Sequence, residues 1–464
     1  MGFKPRVVFG DFQTPPALAG AVVAAVARLG VAPRSVVEPS CGRGSILAAA
    51  RQRFAGAALI GLDINNAHLR ACRHAVGAAA TLHHKDFFDT DWDALLAPLA
   101  EPLLVVGNPP WVTTAALAAA AGDNAPARDA TGLSGIEAVT GRANFDISEW
   151  MLRQLAERIY ARDATLAMVC KTAVARKLLA HLWQHNSAPR DARMFRIDAA
   201  AAFGAAVDAC VLVCRFGRGA GAHSCVVYPS LDATVTQSEL AYRDGELIAD
   251  AGCYERTRHL LGKSARWRSG IKHDCSKVVE LRSDGAGLRN GLGEVVDLEP
   301  DYLFPMLKSA ELARGAAPRR LMLVTQRHTS EPTDVIAGRA PKTWRYLQRH
   351  RARFAARAST IYRNRAPFAV FGVGDYAFTP WKVAVSGFYE PPTFRVIGPA
   401  GGRPVVFDDT CYVLPCSDRA QAERRARALN SPLAAEFFRA YVFADNKRPI
   451  TARLLSRLNV DALG

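Results

Sequence analysis

Residues 34–54 read RSVVEPSCGRGSILAAARQRF. The stretch opens with a short β-branched run that stops at a carboxylate, Glu38, and a proline, Pro39. It closes with apolar residues spaced as on one face of a helix. Between the two, Gly42 and Gly44 complete an E-P-x-x-G-x-G turn, and glycine there lets the backbone approach a ligand closely. A strand that hands its chain to a helix through such a turn is a β–α unit.

The same alternation continues along the first half. ALIGLDI (58–64) reads as a strand and NAHLRACRHAV (66–76) as a helix. ATLHHKD (80–86) and PLLVVGNPP (102–110) are strands, FDISEWMLRQLAERIYA (145–161) is helical, TLAMVCK (165–171) is a strand and TAVARKLLAHLW (172–183) a helix. RMFRIDA (193–199) and DACVLVCRF (208–216) complete the set of strands. Strands alternating with helices predict an α/β fold, a doubly wound and mostly parallel Rossmann-like sheet. Its ligands belong beyond the carboxyl ends of the strands, near the point where strand order reverses. A glycine- and alanine-rich stretch after Trp111 reads as a long surface loop. The pattern loosens around 216–270, which predicts a first domain over 1–230 and a second, mixed α/β and basic, over 231–464. In the second, FAVFGVG (368–374), KVAVSGFY (382–389), FRVIG (394–398), PVVFDD (404–409) and CYVLPC (411–416) have β character. They precede the helical QAERRARALNSPLAAEFFRAYVF (421–443).

Three acidic residues fall at three consecutive strand ends. Glu38 opposes the pyrophosphate that a dinucleotide turn would hold, and it suits a cationic or hydroxyl-bearing ligand. Asp63, followed by Ile64, is placed to accept both hydroxyls of a ribose. Asp86 is placed to accept an adenine amino group, with Phe87 packing on the ring. Sulfonium, amino acid, ribose and adenine together describe S-adenosylmethionine, with Glu38, Pro39, Gly42, Gly44, Asp63, Ile64, Asp86 and Phe87 as its expected site.

The fourth strand ends in Asn108-Pro109-Pro110-Trp111. These residues resemble the N-P-P-aromatic motif of N6-adenine methyltransferases. Upstream, Phe12-Gln13-Thr14-Pro15-Pro16 resembles the segment that closes over the methionine end of the cofactor, which implies Thr14 and Pro15 as cofactor contacts. Asn108 is expected to touch the cofactor as well. Phe203 stands where the gamma class of DNA adenine methyltransferases carries an aromatic facing the flipped base. The order of motifs, over roughly 9–216 and followed by a recognition half, is that of the gamma class. The resemblance implies adenine-specific DNA methylation of the restriction–modification type.

The chemistry is consistent with those residue types. The exocyclic amine of adenine is a poor nucleophile because its lone pair is delocalised into the ring. The side-chain oxygen of Asn108 and the carbonyl of Pro109 are placed to accept its two protons. The two prolines fix the backbone that carries both acceptors. Such positioning lowers a barrier with no covalent intermediate. Trp111 offers a stacking face for an extruded base, and Phe203 is expected on the opposite face.

Charge locates the polyanion partner. The net charge is +16; residues 1–250 carry 24 Lys+Arg against 23 Asp+Glu, and residues 251–464 carry 35 against 20. A near-neutral module beside a strongly basic one suits a nucleic acid. No acid lies between Asp334 and Asp375, and Lys342, Arg345, Arg349, Arg351, Arg353, Arg357, Arg363 and Arg365 are expected to track the phosphates of double-stranded DNA. A separately encoded restriction endonuclease fits as a partner. The alternatives left open by the motif are an amino-methyltransferase acting on RNA or a protein glutamine, and methylation at cytosine N4.

The ten cysteines show no C-x-x-C pair, which argues against a metal site and for a reducing cytoplasm. No segment has the length and apolarity of a signal peptide or a membrane span. A bacterial cytoplasmic enzyme, with no membrane and no metal, is the expectation.

Overall fold

A computed structural model of the chain describes residues 13–112, 146–263, 265–283, 285 and 287–463. Phe12 and nearly all of the expected long loop after Trp111 lie outside the described residues. The chain forms two compact units, the first running through Gly252 and the second starting at Cys253.

The first unit opens with α1 (Pro16–Arg28), whose proline sits at the helix start where a missing N–H costs nothing. There follow β1 (Ser35–Glu38), α2 (Ser45–Arg53), β2 (Ala58–Asp63), α3 (Asn66–Val76) and β3 (Ala80–His84). Next come α4 (Trp92–Leu96), β4 (Leu103–Gly107), α5 (Ile147–Ile159), β5 (Ala164–Lys171) and α6 (Thr172–Gln184). The unit ends with β6 (Asp191–Ile197), α7 (Ala199–Phe203), β7 (Ala209–Arg215), β8 (Ser224–Tyr228), β9 (Ser238–Arg243) and β10 (Glu246–Ile248).

These strands make one sheet ordered β10-β9-β8-β6-β7-β5-β4-β1-β2-β3. Strands β1 to β5 are parallel, and β7 is antiparallel to β5 and β6. This is the predicted doubly wound sheet. Its central strands β1 and β4 are buried along their whole length, which explains their unbroken apolar character. Val22 and Val26 of α1, Ile46 and Leu47 of α2, and Val36, Leu104, Val169 and Val211 of the strands share one core. Burying side chains of this size stabilises by about 1.5–3 kcal/mol each.

Strand order reverses between β1 and β4, where Val37 lies opposite Val105. That register sets the tip of β1, with Glu38, beside the tip of β4, with Asn108. The expected domain break after residue 230 is displaced to Gly252, because β8 pairs with β6 and carries β9 and β10 onto the same sheet.

The second unit holds two sheets. One has four strands, β11 (Arg268–Ser269), β20 (Cys411–Cys416), β17 (Trp381–Ser386) and β18 (Arg395–Ile397), in that order. The other runs β14 (Val295–Val296), β13 (Leu288–Arg289), β12 (Glu280–Ser283), β16 (Arg320–Leu323), β15 (Leu303–Leu307), β19 (Val406–Phe407). The predicted helical tract is two helices, Arg419–Leu429 and Pro432–Tyr441, covering the four-stranded sheet through Leu429, Phe437 and Phe438. FAVFGVG is not a strand: it makes a single bridge, Phe371 to Lys272. Gly372 there is left-handed (φ +73°), and a Cβ would lie 2.3 Å from the carbonyl oxygen of Gly270, so the run turns instead of pairing.

Among the described residues, no helix is long and apolar enough to cross a membrane, and no three His, Cys, Asp or Glu side chains cluster as metal ligands do. All ten cysteines are buried and free.

Candidate active site

The glycine turn is held from three sides. Asp63, at the tip of β2, accepts from the backbone N–H of Gly42 (2.8 Å) and from that of Asn65 (2.8 Å). Gln13 accepts from the N–H of Arg43 (2.9 Å), and Cys41 N–H donates to the carbonyl of Leu62 (2.7 Å). Gly44 has φ +85°, and a Cβ there would meet the Sγ of Cys72 at 2.5 Å and its Cα at 3.0 Å. Both the conformation and the contact with α3 therefore demand glycine. Cys41 is buried behind the turn against Cys72, and that contact together with burial pushes its thiol up, so it serves packing and not nucleophilic chemistry.

Glu38 is 3% exposed and accepts from the N–H of Leu47 (3.2 Å). Burial, then the neighbouring Cys72 and Asp63, push its carboxyl well above the usual carboxylate range. A carboxylate destabilised in this way gains most from a cation brought beside it. Ile64, next to Asp63, is 51% exposed although apolar, and it gives a face on which a flat ring can lie. A cation acceptor, a carboxylate at the next strand tip and an open apolar face fit S-adenosylmethionine.

Asp86 turns partly on itself: its Oδ1 accepts from the N–H of Phe88 (2.9 Å). Phe87 does not stand open to a nucleobase as expected. It is buried, its ring 4.7 Å from that of Trp92 and 5.9 Å from that of Trp150. The tryptophans of α4 and α5 draw it into the core, because three aromatic rings bury more surface together than Phe87 would alone.

Asn108 leaves β4 with its amide nitrogen donating to the hydroxyl of Thr14 (3.3 Å). This brings the Thr14-Pro15 segment to the Asn108-Pro109-Pro110 turn and directs the amide oxygen to the opposite side. Trp111 is 6% exposed, and the ring of Phe203 meets it edge-on, centroids 5.1 Å apart and planes at 73°. The two rings therefore do not face each other across a gap. A base between them needs two spacings of about 3.5 Å, so Phe203 must turn for the expected sandwich to form.

Two residues beside the turn have no site role in the sequence reading, where Asp146 is only a helix cap. Lys171, at the tip of β5, donates to the carbonyl of Trp111 (3.3 Å) and pairs with Asp146 (2.6 Å). Asp146 caps α5 by accepting from Ser148 N–H (3.1 Å). A lysine at the tip of a buried parallel strand was the available signal.

In the second unit, Arg345, Arg349, Arg351, Arg353, Arg363 and Arg365 are exposed. Lys342 pairs with Asp297 (2.6 Å). Arg357, unlike these, is half-buried and turned onto its own unit: it donates to the carbonyls of Ala369 (2.6 Å), Phe354 (2.9 Å) and His273 (3.2 Å), and lies 3.5 Å over the ring of Tyr362. Its donors close a loop that would otherwise bury bare carbonyls.

No family model matches the chain. The chain is 38% identical over 470 residues to the Type II methyltransferase M.NspV of Nostoc sp., covering 99% of this chain and 98% of that protein. Among solved structures, the Type IIL restriction-modification enzyme MmeI, in complex with DNA, matches with a TM-score of 0.57 at 13% identity. The match covers 97% of this chain and 65% of MmeI, so the chain spans about two thirds of that enzyme's length. At that identity the likeness is one of fold. The sheet order and the full-length Type II relative together mark an S-adenosylmethionine-dependent methyltransferase. Within that class the chain belongs to the Type II methyltransferases, the family of M.NspV.

Proposed function

We propose that this protein methylates the N6 amine of an adenine extruded from duplex DNA, as the modification component of a restriction–modification system with a separately encoded endonuclease. The observation that carries the reading is the Asn108–Thr14 contact, which fixes the amide at the tip of β4 with its oxygen directed away from Thr14. S-adenosylmethionine supplies an electrophilic methyl group on a cationic sulfur.

The residues do the rest. Glu38 and Asp63 hold the cofactor's cationic and ribose ends, with the glycine turn giving it room. The oxygen of Asn108 and the carbonyl of Pro109 accept hydrogen bonds from the two amine N–H groups, which concentrates the nitrogen lone pair toward the methyl group; the surplus proton of the methylated nitrogen is then released to solvent. Trp111 stacks the base, a contribution of about 1–3 kcal/mol. Phe203 turns off Trp111 to close over the other face. The second unit serves as the recognition domain. Its exposed arginines neutralise phosphates, and their attraction offsets the few kcal/mol that unstacking costs. The fold shared with MmeI, a protein seen on DNA, supports the same substrate class.

The test is methyl transfer from labelled S-adenosylmethionine to unmethylated double-stranded DNA, total RNA and a mixed protein fraction in parallel. Label in DNA at least tenfold above the other two is expected. Label confined to RNA or protein would overturn the assignment.

A further inference from the structure

The N-P-P-W turn depends on more than its prolines. The tip of β5 lies beside the tip of β4, with Met168 opposite Gly107. Lys171 is the last residue of β5, and its ammonium bridges two points far apart in sequence. It donates to the carbonyl of Trp111 at 3.3 Å and pairs with the carboxylate of Asp146 at 2.6 Å. The other oxygen of Asp146 accepts from Ser148 N–H (3.1 Å), which ties the pair to the first turn of α5. Beside it, the N–H of Ile147 donates to the carbonyl of Val112 (2.9 Å). The side chains of Lys171 and Asp146 are 24% and 11% exposed, so the pair is partly desolvated and worth more than a surface pair.

We propose that Lys171, braced by Asp146, is a positioning residue for methyl transfer: it fixes the backbone of Trp111 and with it the plane on which the target base stacks. The inference rests on the DNA-methylation reading above. In this role Lys171 acts through the Trp111 carbonyl. Its fixed length and charge matter because the two acceptors lie on different elements. A methionine keeps the apolar stem but cannot hold either acceptor. An arginine keeps the charge and offers donors to both.

The test compares Lys171→Met, Lys171→Arg and Asp146→Asn with the unmodified protein. The readouts are kcat and KM on unmethylated genomic DNA, S-adenosylmethionine affinity, and the thermal unfolding midpoint. Lys171→Met is expected to lower kcat about 10- to 100-fold, the scale of a misplaced reacting group, with cofactor affinity and unfolding midpoint kept. Lys171→Arg is expected to recover most of kcat, and Asp146→Asn to fall between. If Lys171→Met keeps kcat within twofold, or if its loss follows a lower unfolding midpoint or weakened cofactor binding and Asp146→Asn is normal, the positioning role is wrong. If the unmodified protein methylates no DNA, it is the underlying functional reading that fails.

Discussion

The ring of Phe203 lies edge-on to the ring of Trp111, centroids 5.1 Å apart and planes at 73°. Trp111 is buried and Phe203 half-buried in this contact, which in the proposed reaction must open to admit a base. Exchange of Phe203 for alanine removes one stacking face and the contact together. Loss of about 1–3 kcal/mol of stacking predicts a fall in kcat/KM on DNA of roughly 5- to 150-fold, with cofactor affinity unchanged. Phe203→Tyr is expected to retain most of the activity. Steady-state kinetics on the two variants checks this, and a normal kcat/KM for Phe203→Ala would remove the residue from the base pocket.

Asp63 shapes the glycine turn and, in the proposed complex, takes the ribose. Asp63→Ala frees the N–H groups of Gly42 and Asn65 and deletes the ribose acceptor. Titration calorimetry should show S-adenosylmethionine affinity reduced at least tenfold, about 1.4 kcal/mol or more. Unchanged affinity would show that the cofactor does not use this strand tip.

The basic stretch divides into two kinds of arginine. Alanine at exposed Arg345, Arg349 or Arg353 should weaken DNA binding about equally across sequences and reduce the salt slope by about 0.9 for each phosphate no longer neutralised. Alanine at Arg357 should act on folding, costing on the order of 3 kcal/mol, because it leaves the carbonyls of Ala369, Phe354 and His273 without their donor. DNA affinity at several salt concentrations, beside denaturant unfolding, separates the two. An Arg357→Ala protein of normal stability with a reduced salt slope would reverse the assignment.

How much of this was readable beforehand follows from range. The β–α units, the acids at the strand tips and the Asn-Pro-Pro-Trp turn are local patterns, and the structure places them as the sequence suggests. The inward turn of Phe87 depends on Trp92 and on Trp150, the latter from a helix far along the chain. The fan of carbonyls around Arg357 depends on a loop that closes back on it, and the pairing of β8 with β6 moves the domain boundary. Lys171 stood in plain view, but its partners, Trp111 and Asp146, meet only when β4 and β5 pair. FAVFGVG has strand composition, and its glycines turn it where the Gly270 carbonyl leaves no room for a side chain.

Lys382 is buried at 1% exposure and donates to the carbonyls of Thr379 and Val405. Burial lowers its pKa from the ordinary 10.5 to about 8. Between those values the unfolded chain holds the proton and the folded one has lost it. Stability attributable to this residue therefore rises as pH climbs from about 8 toward 10.5, by at most about 1.4 kcal/mol per pH unit, and its full charge-burial cost applies below pH 8. The unfolding free energy of Lys382→Met relative to the unmodified protein should thus decline by roughly 1–2 kcal/mol between about pH 7.5 and 9.5. Denaturant titration at the two values checks it, and a pH-independent difference would show that the lysine titrates normally.

Asn108 and its prolines, in the proposed reaction, present an adenine amine to the cofactor's methyl group. The most direct measurement incubates the protein and its Asn108→Ala variant with methyl-labelled S-adenosylmethionine and unmethylated genomic DNA, then separates the nucleosides after digestion. Label is expected in N6-methyldeoxyadenosine, reduced about 100-fold or more in the variant. Label in N4-methyldeoxycytidine, or an undiminished yield from Asn108→Ala, would refute that role.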